Sequence, residues 1–334
     1  MYLLILLLLN EMKKEILFST QIREDEILLC LNKTYVTTYT DFYEFQRLWF
    51  YRSYKAFKDF DKYLILVYFF QKTFNTYNDY FIKKTYEEFY SLTSFEIEKF
   101  NIVNVSKDLF ITKETARRKI LELQKENIIQ KENKSIKLNQ NGINIQKPEE
   151  SVKTLARFLA TFSRVLVKNK FLKNELTTED CEKLIKNNFT QFWKFFLDFQ
   201  LPYCLQWKQF HGDLEIFIIL GMVIYNQNLY LRKNSPNEVD KNYFKNEYAS
   251  KLIHISDGEG INAMTISDLT GIPRPTILRK LNKLQERGYI IKNKKSLYRL
   301  NELYQNIKPI DQIRLTTVKN WSGFLAKFYN FVEN

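Results

Sequence analysis

The most constraining feature of the sequence is an internal repeat. A shift of 161 positions carries the stretch that begins at Val105 onto the stretch that begins at Ile266, without a gap. The identical pairs at this shift include Ser106/Ser267, Ile111/Ile272, Thr115/Thr276, Arg118/Arg279, Lys119/Lys280, Leu123/Leu284, Ile129/Ile290, Lys131/Lys292, Ser135/Ser296 and Pro148/Pro309. After a further offset of five residues, Phe158-Leu159-Ala160 matches Phe324-Leu325-Ala326. Self-similarity over this length indicates duplication of a whole structural unit.

The second copy has the sequence pattern of two helices and a hairpin. A short helix is predicted over Ser267–Thr270, followed by the turn pair Gly271-Ile272 and by a longer helix that opens at Pro273, because proline is tolerated at a first helical position. Gly288 is expected to stop this helix, since glycine adopts a positive φ readily. Two strands, Tyr289–Ile291 and Ser296–Leu300, are predicted around the polar tip 293–295.

The longer helix is amphipathic. Ile277, Leu281 and Leu284 recur at i, i+4 and i+7, which places them on one buried stripe. The opposite face then carries polar and basic side chains, namely Thr276, Arg279, Asn282 and Lys283. This order of elements predicts a winged helix-turn-helix.

The run GIPRPTILRKLNKLQERGYI and the order of elements resemble the MarR family of transcription regulators. The resemblance covers roughly the last hundred residues well and the rest weakly. It implies that the helix after the turn is a recognition helix and that the hairpin is the wing. It also implies a homodimer with interlocked terminal helices, whose two recognition helices lie about one DNA turn, roughly 34 Å, apart.

Two copies in one chain therefore predict an intramolecular pseudo-dimer. The expected fold is mainly α with small β-wings, built from tandem duplicated winged helix-turn-helix domains, with the helices after Pro148 and Pro309 packed centrally. The expected domains are an N-terminal segment, 1–40, a first repeat, 41–174, with its winged helix at about 92–138, and a second repeat, 175–334, with its winged helix at about 241–300. We expect a monomer with internal pseudo-two-fold symmetry.

The candidate DNA-binding residues of the second copy converge on the recognition helix and the wing. A guanidinium at the centre of the free face can bind guanine bidentately or a phosphate, and small polar neighbours suit base edges. Wing lysines can hold phosphates or enter the minor groove. The predicted residues are Arg274, Thr276, Arg279, Lys280, Asn282, Lys283, Lys292, Lys294 and Lys295.

The corresponding face of the first copy is less basic. Its candidates are Lys113, Thr115, Arg117, Arg118, Lys131 and Lys134. Glu114, Leu121 and Glu122 stand where the second copy has Pro275, Asn282 and Lys283, and carboxylates near phosphates repel them. The second copy is therefore expected to dominate specificity. For each basic residue alone, a solvated helix face is the simpler interpretation.

The region before each winged motif is rich in aromatic residues. Phe42, Phe45 and Trp49 share one helical face, and Tyr63–Phe70 is nearly all apolar. A helix from Glu179 to Phe199 is predicted to begin at a capping box, Thr177-x-x-Asp180. MarR-like regulators often bind aromatic ligands between their dimerisation and winged regions, so these helices fit either an aromatic-effector pocket or plain core packing.

The N-terminus and the cysteines bear on localisation. MYLLILLLL is too short to span a bilayer and lacks a basic n-region. We expect no membrane anchor, and Met12 is an equally suitable start. Glu15–Phe18 and Ile27–Leu31 fit short strands or a helix. Cys30, Cys181 and Cys204 show no paired spacing, so free thiols in a reducing cytoplasm are expected.

Charge and motifs favour a DNA-binding function over an enzyme. A formal net charge of +13 suits an anionic partner, although a Lys- and Asn-rich chain also arises from an AT-rich genome. His211 and His254 lie in no metal-ligand pattern, and no phosphate loop, nucleophile elbow or HExxH occurs. The expectation is a non-catalytic, cofactor-free cytoplasmic transcription regulator on double-stranded DNA. The alternatives are a plasmid-type replication initiator that binds directly repeated iterons, or an architectural or partner-binding winged-helix protein without salt-sensitive DNA binding.

Overall fold

A computed structural model of the chain describes residues 21–97, 100–132, 134–145, 147–234 and 259–333. Five features named above lie outside these ranges: the opening apolar run, the alternative start at Met12, the segment Glu15–Phe18, His254, and the first part of the predicted second winged helix, 241–258.

Two series of elements follow one another along the chain. The N-terminal half, residues 21–168, contains α1 (Glu24–Lys33), α2 (Tyr35–Phe57), α3 (Phe60–Asp79), α4 (Tyr86–Tyr90), β1 (Ser94–Ile97), α5 (Ile102–Asp108), α6 (Lys113–Lys125), β2 (Ile129–Glu132), β3 (Ser135–Asn139), α7 (Gln140–Ile145) and α8 (Glu149–Lys168). The C-terminal half, residues 171–333, contains α9 (Thr178–Asn187), α10 (Phe189–His211), α11 (Leu214–Asn234), α12 (Ala263–Thr270), α13 (Arg274–Glu286), β4 (Ile290–Lys292), β5 (Tyr298–Leu300), a 3₁₀ helix (Glu302–Asn306) and α14 (Lys308–Glu333). The fold is mainly helical with small antiparallel sheets, as predicted.

Three pairs of helices at matching places in the two halves have the same lengths. Helices α1 and α9 each have 10 residues, α2 and α10 each have 23, and α6 and α13 each have 13. Left-handed residues also recur at matching places: Lys58 and Gly212 directly follow α2 and α10, and Asn127 and Gly288 lie two residues beyond α6 and α13.

The two small sheets differ in size. In the N-terminal half, β3 lies between β1 and β2 and pairs antiparallel with both, with Phe95 opposite Leu138 and Ile129 opposite the same leucine. In the C-terminal half, β4 pairs antiparallel with β5, and Ile261 adds a single bridge to Tyr298.

Most of the helices predicted from sequence are confirmed, and one is wrong. The ambiguous stretch Ile27–Leu31 is part of α1, and the apolar run Tyr63–Phe70 lies in α3. The single helix predicted over 179–199 is instead two helices, because the chain leaves helical geometry at Asn188 (φ −121°, ψ 38°). The predicted capping box at Thr177 is present: its Oγ1 accepts from the Asp180 amide at 3.1 Å.

The aromatic stripes fill the core between α2 and α10. Trp49 and Phe196 pack edge to face with ring centroids 5.0 Å apart, and Phe45 also contacts Phe196. Between the same helices, two buried amides bond to each other twice: Gln46 Nε2 donates to Gln200 Oε1, and Gln200 Nε2 donates to Gln46 Oε1, each at 2.9 Å. This reciprocal pair satisfies two polar groups that would otherwise be costly to bury.

The last helix of each half packs against the other half. Phe158 of α8 contacts Trp321 of α14, with ring centroids 5.2 Å apart, and the Tyr329 hydroxyl donates to Leu159 O at 2.6 Å. These contacts join the two helices that were expected to pack centrally. Helix α1 packs on α14 and α9 packs on α8, so the first helix of each half lies against the last helix of the other.

Helix α11 is long and apolar enough to cross a membrane. In this structure it is a core helix, since it packs on α2, α10 and α13. Ile219 and Val223 at its centre have no exposed surface.

Candidate nucleic-acid interface

The turn between α12 and α13 is stabilised by the Ser267 side chain and by a glycine. Ser267 Oγ donates to Ile272 O at 2.7 Å, which closes the turn across five residues. Gly271 ends α12 at φ 71°, a left-handed conformation that other residues adopt at a cost. In the first motif, Ser106 Oγ donates to Ile111 O at the same 2.7 Å, and Phe110 takes the left-handed position at φ 51°.

The predicted buried stripe of α13 is confirmed. Ile277, Leu281 and Leu284 are fully buried. Their burial leaves the other side of the helix in solvent, with Thr276 partly buried and the remaining polar side chains exposed: Arg274, Arg279, Asn282 and Lys283. The helix therefore presents one continuous polar face.

The lysines predicted for the second wing lie on a hairpin with a defined tip. Asn293 Oδ1 accepts from the amides of Lys295 and Leu297, each at 2.9 Å, and so orders the turn. Lys294 and Lys295 are exposed at this tip. The exposed Lys292 extends over the Tyr298 ring, 5.6 Å from its centroid. A cation held over a ring is positioned without losing its charge.

Lys280 does not belong to this surface, and its prediction as a DNA contact is wrong. Its side chain is 6% exposed, and its Nζ contacts Asp213 and lies 3.1 Å from Glu215. Lys280 occupies the side of α13 that faces α11, because three residues separate it from the buried Ile277 and four from the buried Leu284. Because carboxylates within the protein compensate its charge, this lysine is not available to bind a phosphate.

We call the remaining set the second candidate surface: Arg274, Thr276, Arg279, Asn282, Lys283, Lys292, Lys294 and Lys295. Among the described residues, none of its six cationic side chains forms an ion pair with a carboxylate. Burial raises the pKa of the Glu215 carboxyl, although the charge of Arg279 acts on it in the opposite direction. Six cations without ion pairs, on one helix and the hairpin that follows it, produce a local positive field that attracts polyanions.

We call the corresponding set of the N-terminal half the first candidate surface: Lys113, Thr115, Arg117, Arg118, Lys131 and Lys134. Its five basic side chains are exposed and Thr115 is partly buried. Thr115 lies in the first turn of α6, where its amide donates to the capping Oγ1 of Thr112 at 3.0 Å. Lys131 lies over the Phe100 ring, 5.9 Å from its centroid.

The two arginines of the first candidate surface are already paired. Arg118 Nε lies 3.9 Å from Glu122 Oε1, and Arg117 Nη1 lies 3.6 Å from Glu114 Oε2. Both pairs are well exposed, so each contributes little to stability. They nevertheless lower the net charge that a phosphate would meet. Leu121, which is 50% exposed, adds an apolar side chain to the same helix.

Sequence reasoning missed the acids that hold α6 and α13. Asp59 precedes α3 and contacts Lys119, while Asp213 precedes α11 and contacts Lys280. The two lysines are equivalent in the 161-residue repeat. A shift of 154 positions, which also carries Tyr35 onto Phe189, relates the two aspartates. This second shift could have revealed the two aspartates from the sequence, because it extends the repeat through the helices before each predicted winged motif.

The aromatic residues proposed for an effector pocket are mostly core. Phe42, Phe45 and Trp49 are each at most 6% exposed and pack against rings of α10 and α14. A small apolar cleft remains between α1, α2 and α14, lined by Leu31, Thr38, Tyr39, Phe42, Thr317, Val318 and Trp321. The aromatic effector stays a prediction.

Comparisons of the chain with protein-family models, with curated proteins and with solved structures find no match. Within the described ranges no group of three His, Cys, Asp or Glu side chains is placed to hold a metal ion. The three cysteines are free and buried.

Proposed function

We propose that the chain is a sequence-specific regulator of transcription of MarR-like type, which binds double-stranded DNA as a single-chain pseudo-dimer. The observation that carries the proposal is the second candidate surface, where a recognition helix and its wing present six cations free of ion pairs within the described residues. Such a surface can exchange condensed counterions for protein contacts. Arg279 and Asn282 then supply the geometry for base edges.

The pseudo-dimer is supported by reciprocal contacts between equivalent residues. The 154-residue shift relates Gln46 to Gln200, and these two amides bond to each other in both directions. A two-fold axis produces this pattern, because residue i then contacts residue j while j contacts i. The packing of α1 on α14 and of α9 on α8 is a second instance of the same exchange.

A further pair of contacts supports the same axis. Gln71 Nε2 donates to Asp198 Oδ1 at 3.1 Å between α3 and α10. The equivalent residues, Tyr225 and Glu44, are hydrogen-bonded between α11 and α2. Together with the three pairs of helices of equal length, these contacts favour a duplicated unit whose two copies are joined as the protomers of a dimer would be.

The experiment that tests DNA binding is a salt titration with a charge-matched control. Fluorescence anisotropy on a duplex selected from random DNA should give a log Kd that rises linearly with log salt. Replacing Lys294 and Lys295 by alanine should make the slope shallower by about one per lost phosphate contact.

The control variant, Lys173→Ala with Lys183→Ala, removes the same net charge from exposed positions beside and on α9. It should leave the slope unchanged. If both double variants change the slope equally, binding follows net charge alone and the second candidate surface is not the interface. A flat salt response of the unaltered protein would contradict phosphate binding altogether.

A further inference from the structure

Each recognition helix carries one nearly buried lysine that is paired with an acid at the start of a core helix. Lys119 Nζ lies 2.8 Å from Asp59 Oδ2 and 2.9 Å from Glu122 Oε2, with its side chain 11% exposed. Lys280, at 6% exposure, contacts Asp213 and Glu215. Each ammonium therefore meets two carboxylates, so its surroundings carry an excess of negative charge.

The aspartates in these contacts are also helix caps. Asp59 Oδ1 accepts from the Lys62 amide at 2.9 Å in the first turn of α3. Asp213 Oδ1 accepts from the amides of Glu215 and Ile216 at 2.7 and 3.3 Å in the first turn of α11. One carboxylate thus fixes the start of a core helix and, through the lysine, the angle of a recognition helix.

The same helix starts are joined to the opposite half. Lys208 of α10 lies 2.7 Å from Asp61 Oδ1 in the first turn of α3. Near the start of α11, the Phe217 ring packs edge to face against Phe50 of α2, with ring centroids 6.3 Å apart. The anchoring point of each recognition helix therefore lies where the two halves meet.

We propose that Lys119 and Lys280 are positioning residues, which fix the recognition helices to the starts of α3 and α11 and do not touch DNA themselves. This inference rests on the proposed DNA-binding function. It assigns a role to the one lysine of α13 that the candidate surface excludes, and it makes the spacing of the two recognition helices depend on the packing between the halves.

The test separates positioning from phosphate contact by the salt slope. Asp213→Asn keeps a capping side chain, because asparagine caps as well as aspartate, but it removes one of the two negative charges that hold Lys280. We expect specific DNA binding about tenfold weaker, as for one misaligned base contact, with an unchanged salt slope. Lys283→Met, a change on the exposed face, should instead make the slope shallower by about one.

A second variant and a second measurement keep the inference open to refutation. Lys280→Met retains most of the aliphatic stem, and combining it with Asp213→Asn should cost no more than the larger single change, because both break one contact. Hydrogen exchange in the α13 peptide, measured without DNA, should be faster in both variants and unaltered in Lys283→Met.

Two results would overturn the proposal. One is Lys280→Met making the salt slope shallower by about one, which would place its charge on a phosphate. The other is Asp213→Asn leaving both DNA affinity and α13 exchange unchanged. If the unaltered protein binds no duplex in a salt-dependent way, the proposed function fails by itself. Hydrogen exchange in the α13 peptide then tests the anchoring alone, and equal exchange rates in the unaltered protein and in the Asp213→Asn and Lys280→Met variants would refute it.

Discussion

Replacing His211 by phenylalanine should make the protein more resistant to acid. His211 ends α10 and is 1% exposed, stacked on Trp207 and Phe217. Among the described residues neither ring nitrogen has a hydrogen-bond partner. Burial, together with the charge of Arg287, lowers its pKa from 6.5 to about 3. Phe57, which is buried at the end of α2, occupies the corresponding place in the N-terminal half.

The size of the effect follows from the two pKa values. Between pH 6.5 and about 3 the unfolded chain binds a proton at His211 that the folded chain does not. The free energy of unfolding therefore falls as pH falls, by about 1.4 kcal/mol per pH unit. From pH 7 to pH 4.5 the loss is about 2 to 3 kcal/mol. Removing two unsatisfied nitrogens should add about 1 kcal/mol at neutral pH.

Urea unfolding followed by circular dichroism at pH 7 and pH 4.5 measures this difference. The loss of stability on acidification should be about 2 to 3 kcal/mol smaller in His211→Phe than in the unaltered protein. Hydrogen bonds lower the pKa of Asp59 and Glu44, so the stabilisation that these carboxylates give to the fold is also lost in acid. This loss should be the same in both proteins. Phe57→His is the matched control and should increase the acid sensitivity. An unchanged pH dependence in His211→Phe would refute the reasoning.

Two further predictions concern the symmetry of the chain. Arg279→Ala should cost about 1 to 3 kcal/mol of specific binding and relax discrimination at one base position. Arg118→Ala should cost less, because Glu122 already pairs with that guanidinium. Selection of binding sites from random DNA compares the two variants, and a larger effect at Arg118 would reverse the inferred asymmetry. Gln46→Leu should destabilise the fold by about 1 to 3 kcal/mol, because it leaves the buried Gln200 Oε1 without its donor, although Gln200 Nε2 also donates to Cys204 Sγ at 3.7 Å. Adding Gln200→Leu should restore most of the loss. Thermal unfolding measures both changes, and additive losses would show that the reciprocal pair is not a coupled unit.

The local elements were predictable because they depend on spacing within a few residues. The apolar stripe Ile277, Leu281 and Leu284 fixed the orientation of α13, and Gly288 fixed its end near the residue where the structure places it. The break at Asn188 was not predictable by periodicity, since the apolar pattern continues from α9 into α10 across the change in direction.

The role of Lys280 was misassigned for a different reason. A lysine among Arg279, Asn282 and Lys283 has the composition of an exposed face, and the sequence alone contains no indication that α11 lies beside it. The acids that neutralise it, Asp213 and Glu215, are more than sixty positions away in sequence. The spacing of Lys280 from Ile277 and Leu284 already placed it beside the buried stripe, but only the packing of α13 against α11 brings these acids to it.

The most direct test of the central claim is the stoichiometry and symmetry of the selected binding site. Selection from random duplexes, followed by mass measurement of the complex, should give an inverted repeat with half-sites about 10 bp apart, bound by one chain. The half-site of the second copy should be the more strongly specified. A site with a single half-site, a duplex that needs two chains, or no enrichment of any sequence would contradict the single-chain pseudo-dimer.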